Sequence, residues 1–177
     1  MSPSLKTTLK AWPVVFAAAA LLCFLTKWVA GLFGIDLPDQ VSLDWVKNAR
    51  GWRFVGIFAY VVAGAPAGEE AVFRFLLFKG PLWLAAKVRS RLRGSPEPPF
   101  DLRRSTLCMA VLSSILFTAS HYNRLNPFPD NAFIALFFVG LALCHVYRKT
   151  DRLWAAILCH SLFNLTNLAG LFLFGLD

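Results

Sequence analysis

The 177-residue chain reads as an all-α polytopic transmembrane helix bundle, with about five spans and a short amphipathic interfacial helix. Three observations carry that reading. Hydrophobic residues make up 57% of the chain and charged residues 16%, with 17 Phe, and a soluble core of this length cannot hide so much apolar surface. The apolar residues come in stretches long enough to cross a bilayer. The 18 Lys and Arg outnumber the 10 Asp and Glu, for a net charge of +8, and they fall in short runs between the apolar stretches. Such runs suit loops that face anionic headgroups. No nucleic-acid-binding motif is legible, so the expected surroundings are a lipid bilayer and not nucleic acid. The length fits a single integral membrane domain, residues 1–177.

The elements follow in order. The first span runs from about Trp12 to Phe33, behind Lys6 and Lys10, with Lys27 snorkelling from its end. This start mimics a signal peptide. Yet Lys27 and Trp28 follow the apolar run and no small-x-small site closes it, which favours an uncleaved helix. The second span covers about Trp52 to Phe78, and Gly64, Pro66 and Gly68 predict a kink in its middle. Gly80-Pro81 is expected to break the chain. The stretch "LWLAAKVRSRLR" after it is basic and amphipathic, as an interfacial helix would be. "GSPEPPF" reads as a stiff loop. The third span runs from about Ser105 to His121, "NRLNPFPDN" is a loop, and the fourth span is about Ala132 to Tyr147. "RKTDR" makes a tight basic turn before the fifth span, about Leu153 to Phe174.

Lys and Arg also orient the chain. The N-terminus, the Lys79–Arg104 connection and the Arg148–Arg152 turn fall on one side, expected to be cytoplasmic. The loop with Asp36, Asp39 and Asp44 then faces outward. Cys23, Cys108, Cys144 and Cys159 all lie in apolar stretches and read as small buried hydrophobes, with no disulfide framework. Cys159 precedes His160, but neighbours on a helix point about 100° apart, which argues against a thiol–imidazole pair.

Ionisable groups inside membrane helices are costly and usually functional. Here they are Glu69, Glu70 and Arg74 in the second span, His121 at the end of the third, and His160 with Asn164 in the fifth. His145, near the basic turn, has no evident partner. Glu70 and Arg74 are one turn apart and can pair, while Glu69 is rotated about 100° away and left to face a cavity. His160 and Asn164 share a face, as do Phe117 and His121. Three helices can therefore aim Glu69, His121, His160 and Asn164 at one point.

That set has the parts of a hydrolytic site. A carboxylate can take a proton from water, and a histidine beside it can orient that water. A second histidine and an amide can donate to a developing oxyanion. Two histidines and a carboxylate can equally hold zinc, and spacing leaves both chemistries open. Taken singly, Glu70–Arg74 reads as a structural ion pair, and each His or Asn as an interhelical hydrogen bonder. Their joint occurrence on three spans favours a site.

"EEAVFR" fits the pattern EExxxR, "FTASH" fits FxxxH and "HSLFN" fits HxxxN. In this order they resemble the signatures of the CPBP family, which comprises the type II CAAX prenyl endopeptidases and the bacteriocin-processing and self-immunity (Abi) proteins. "FFVGLALCHVYRKTDRLWAAILCHSLFN" resembles the last two core helices of that family, with its small residue Gly140. The resemblance covers residues 55–168. It implies a glutamic-type intramembrane endopeptidase in which Glu69 activates water together with His121. His160 and Asn164 would form the oxyanion-stabilising pair, and Glu70 and Arg74 would support the first motif. It further implies no metal cofactor, with zinc as the alternative, and a membrane-embedded or membrane-associated protein or peptide as substrate. Phe75 stands where many members have glycine, and the chain is shorter than the eukaryotic prenyl proteases. Both departures point toward compact bacterial members of the inner membrane, which process secreted peptides or C-terminal sorting signals. A non-catalytic scaffold or immunity protein of the same fold is the other reading.

Depth poses a constraint. Counted from the expected span ends at 1.5 Å per residue, Glu69 lies about 13 Å in, His160 about 10 Å and His121 about 24 Å. Convergence then requires tilt, a kink near Pro66, or a deeper start for the third span.

Overall fold

A computed structural model describes residues 2–38, 41–93, 103–122 and 130–174, and these are helical apart from short connections. The proline-rich loop at 94–100 and residues 123–129 of the next loop lie outside the described residues. Helix α1 spans Pro3–Leu32, longer at its start than the apolar run, because Ser2 caps it by accepting from Leu5 N–H at 3.2 Å. A short helix that hydropathy did not reveal, α2 (Val41–Asn48), follows. From residue 51 to residue 93 the chain is helical without interruption: α3 (Gly51–Ala59), a π-helical turn π1 (Tyr60–Gly64), α4 (Ala65–Glu70), a second π segment π2 (Ala71–Lys79) and α5 (Gly80–Arg93). Then come α6 (Arg103–Ser120), α7 (Phe133–Thr150) and α8 (Leu153–Phe174).

Helices α1, α7 and α8 are long and apolar enough to cross a membrane, and Ser105–Ser120 of α6 is a shorter apolar helix. The second expected span is the composite run through π1, α4 and π2. The expected break at Gly80-Pro81 does not occur. Gly80 stays right-handed helical, its N–H reaching back to Phe75 O, and Pro81 is the second residue of α5.

The π1 turn has a related cause. Pro66 has no N–H to give. Ala65 N–H donates five residues back, to Tyr60 O, so Val61 O is left without a helical donor. The side chain of Asn164 on α8 supplies one, Nδ2 donating to Val61 O at 2.8 Å.

Helix α7 is the hub. Of the residues in its most apolar stretch 44% are buried, against 28% for α8 and 6% for α1, so α1 lies at the edge of the bundle. One core layer joins Ala19 of α1 to Val139 and Leu143 of α7 and to Ala155, Cys159 and Phe163 of α8. A second gathers Phe78, Leu82, Cys144, Tyr147 and Ala156, with Met109 and Ala110 of α6 against it. A third holds Phe117, Ala132 and Leu136. The thiols follow the sequence reading at Cys144 and Cys159, which are buried; Cys23 is partly buried and Cys108 is exposed.

The start of α1, Lys79 and the α7–α8 turn meet at one end of the bundle. Thr8 Oγ1 donates to Ala155 O at 3.3 Å, bringing the start of α1 to the start of α8. Lys79 pairs with Asp151, whose left-handed conformation (φ 50°) closes the α7–α8 turn.

Gly140 sets the α6–α7 distance. A Cβ there would lie 2.9 Å from Ser114 Oγ and 3.2 Å from the Ser114 Cα, so the backbones could not stay as close. Gly170, also within a helix, has nothing within 4 Å of such a Cβ. Gly140→Ala is expected to destabilise by about 1–3 kcal/mol through overpacking. Gly170→Ala should be neutral or stabilise by up to about 1 kcal/mol through helix propensity. Thermal unfolding of both variants in detergent checks the contrast.

Candidate active site

The second core layer provides a common baseline for depth. Phe78 of π2 belongs to that layer, and Ala110 of α6 and Leu153 of α8 each pack against it. Counted from these residues, Glu69 lies about 13 Å up, His121 about 16 Å and His160 about 10 Å. Helix α6 runs past Phe78 toward its own start at Arg103, and His121 Nε2 comes within 3.8 Å of Glu69 Oε1, so the helices converge.

Glu70 and Arg74 form the buried foundation. Both are fully enclosed, and Arg74 Nε lies 3.0 Å from Glu70 Oε2, an ion pair although not aligned as a hydrogen bond. The other carboxylate oxygen, Oε1, is 2.9 Å from His160 Nδ1. Arg74 is held further by Nη2 donating to Gly140 O at 3.4 Å and by the ring of Phe117, 4.4 Å from its guanidinium carbon. Its Nη1 has no hydrogen-bond partner among the described residues. One cation thereby ties π2 to α4, α6 and α7, and through Glu70 to α8. Sequence spacing had paired Glu70 with Arg74, as found; the bond to His160 was not foreseen.

Glu69 faces a different way. It is 26% exposed, and its carboxylate lies between two imidazoles: Oε1 is 3.8 Å from His121 Nε2, and Oε2 is 3.7 Å from His160 Nε2. These separations exceed direct hydrogen bonds and suit a bridging water. Each imidazole has its other nitrogen engaged. His121 Nδ1 donates to Phe117 O at 2.9 Å, since a carbonyl can only accept. His160 Nδ1 donates to the Glu70 carboxylate. When neutral, both rings therefore turn an Nε2 lone pair toward Glu69; when doubly protonated, each can donate there.

Phe117 organises both rings. It is wholly buried, with its ring centroid 4.7 Å from that of His121 and 5.8 Å from that of His160. Phe73 packs edge-on against it at 5.4 Å, and Ser113 Oγ donates to Phe73 O at 2.6 Å. The sequence reading noted Phe117 only as sharing a face with His121; its place in FxxxH was the available signal. Gly140 was marked in the sequence only as a small residue, and the role of Ser113 carried no comparable sequence signal.

The structure thus brings Glu69, His121 and His160 together, with Glu70 and Arg74 behind them. Asn164 is placed differently. One of its amide hydrogens goes to Val61 O, and a second remains for other work. Among the described residues no group of three or more His, Cys, Asp or Glu side chains has the spacing of a metal site. His145 lies at the basic end, away from this cluster.

No curated protein and no solved structure matches the chain. A family match does exist, to type II CAAX prenyl endopeptidase Rce1-like proteins. It runs over residues 51–166, close to the 55–168 core read from the motifs, and takes in the composite helix, α6, α7 and most of α8. The chain belongs to the type II CAAX prenyl endopeptidase Rce1-like family, and that membership implies an intramembrane protease.

Proposed function

We propose that this chain is an intramembrane endopeptidase that hydrolyses a peptide bond of a membrane-associated protein or peptide with water activated by Glu69. The observation that carries the reading is the meeting of two imidazole Nε2 atoms, from the residue that follows α6 and from α8, at one half-open carboxylate. Glu69 takes a proton from the water as its oxygen attacks the scissile carbonyl carbon. His121 orients that water. The carbonyl electron pair moves onto oxygen, where doubly protonated His160 and the second amide hydrogen of Asn164 donate to it. Collapse of the tetrahedral species expels the amine, which takes the proton from Glu69. Glu70 and Arg74 do not touch the substrate; they hold the His160 ring in place.

The membrane setting belongs to the same proposal. The chain makes about five spans, with the composite helix as the second and the basic end on the cytoplasmic side. The site then lies about 10–16 Å from the baseline layer at that end. The substrate is a secreted-peptide precursor or a C-terminal sorting signal of short motif, membrane helix and basic tail. Phe75, half-exposed one residue after Arg74, fills space that glycine would leave open.

Glu69→Gln should lower kcat for a co-reconstituted substrate by about 10²–10⁴-fold with an unchanged unfolding midpoint. Undiminished cleavage would sink the mechanism, and retention of the biological effect would favour the scaffold reading. Arg74→Ala should instead destabilise by about 3–5 kcal/mol, because it strands the Glu70 charge. Activity should survive chelator treatment and elemental analysis should find no stoichiometric zinc; loss on chelation with recovery on adding zinc would assign the zinc-dependent alternative.

The two duties of Asn164 are separable. Asn164→Ala should destabilise by about 1–3 kcal/mol by leaving Val61 O unsatisfied. Adding Pro66→Ala returns a backbone N–H in that register and should restore the unfolding midpoint but not cleavage. Recovery of both would reduce Asn164 to a structural role.

A further inference from the structure

Helix α1 lies outside the family match, and its seam with α7 holds a feature that the protease reading leaves unused. At the basic end a cleft of about 510 Å³ is bordered by Lys6 and Lys10 of α1 and by His145 and Lys149 of α7. None of the three lysines has a carboxylate partner among the described residues. Below these side chains the lining turns apolar, with Val14, Val15 and Ala142. The same three residues begin a second cavity of about 150 Å³, which continues along the seam to Ala18, Ala135 and Phe138. The two cavities share these residues and follow one another along the seam as a groove, charged at the end of the bundle and apolar toward its middle.

From Lys149 to Ala135 the groove follows α7 for about 21 Å. That exceeds the hydrocarbon half-thickness of a bilayer, about 15 Å. Cations at headgroup level above an apolar channel of this length match one kind of occupant. We propose that the groove binds one anionic phospholipid, its phosphate between Lys6, Lys10 and Lys149 and an acyl chain along the α1–α7 seam. The bound lipid fastens α1 to the family core. A zwitterionic lipid carries its own cation and would meet three lysines with no net charge to offer them. The proposal rests on α1 and α7 being membrane helices and is independent of the hydrolytic mechanism.

Native mass spectrometry and thermal unfolding of the full chain in neutral detergent test it. The probes are phosphatidylglycerol, phosphatidylcholine and inorganic phosphate. One phosphatidylglycerol per chain should be retained in preference to phosphatidylcholine and should raise the unfolding midpoint, while inorganic phosphate should not. Replacing Lys6, Lys10 and Lys149 by Gln should lower phosphatidylglycerol affinity by about a hundredfold. Ala18→Phe, which fills the apolar part and keeps every charge, should also lose the retained lipid. Equal retention of the two lipids, an equal effect of inorganic phosphate, or undiminished binding by the triple variant would overturn the proposal. So would a lipid-free dimer that Ala18→Phe disrupts, because the groove would then hold a second copy.

Discussion

A carboxylate and a guanidinium enclosed in a helix bundle must satisfy each other, and much of this structure follows from that demand. Glu70 and Arg74 have no access to water, and a buried charge left alone is strongly destabilising. Around the pair stand an imidazole from α8, a backbone carbonyl from α7 and an aromatic ring from α6. Each contact comes from a different helix, so the ion pair sets how those helices sit. Gly140 belongs to the same arrangement. Its missing side chain lets α6 approach α7, and its carbonyl receives Arg74.

With Glu70 turned inward, Glu69 must turn elsewhere, because adjacent helical residues point about 100° apart. This is how two neighbouring acids acquire different surroundings: one sealed and paired, the other half-open between two imidazoles. The Glu70–His160 bond links the two environments. A residue that holds the fold together also fixes the ring that faces the open carboxylate. The pattern suits a site that must be rigid while lying among apolar helices.

The backbone makes a parallel arrangement. Pro66 withholds a donor, the helix widens into a π turn, and a carbonyl is left over. Asn164 answers it from α8. Such widened turns are frequent at functional sites. Here π1 and π2 flank the short α4 that carries both glutamates. A Pro and two Gly in the sequence announced an irregularity in this helix, but not its form, because the form depends on a side chain about 100 residues away.

Hydropathy by itself determined the membrane character of the chain, the long apolar helices α1, α7 and α8 and the shorter α6, because lipid-facing helices must be apolar along their length. Local spacing determined that Glu70 reaches Arg74 and that Glu69 does not share its face, since both follow from helical geometry. The three motifs, read in order, named the family. Only the tertiary structure decided which nitrogen of each histidine is engaged, that His160 binds Glu70, that Asn164 repairs the backbone at Val61, and that His121 comes within 3.8 Å of Glu69. It also decided the long helical run through Gly80-Pro81 and the lysine-rimmed groove beside α1. These depend on the depth and approach of separate helices, which packing around a buried charge sets and which no local pattern in the sequence encodes.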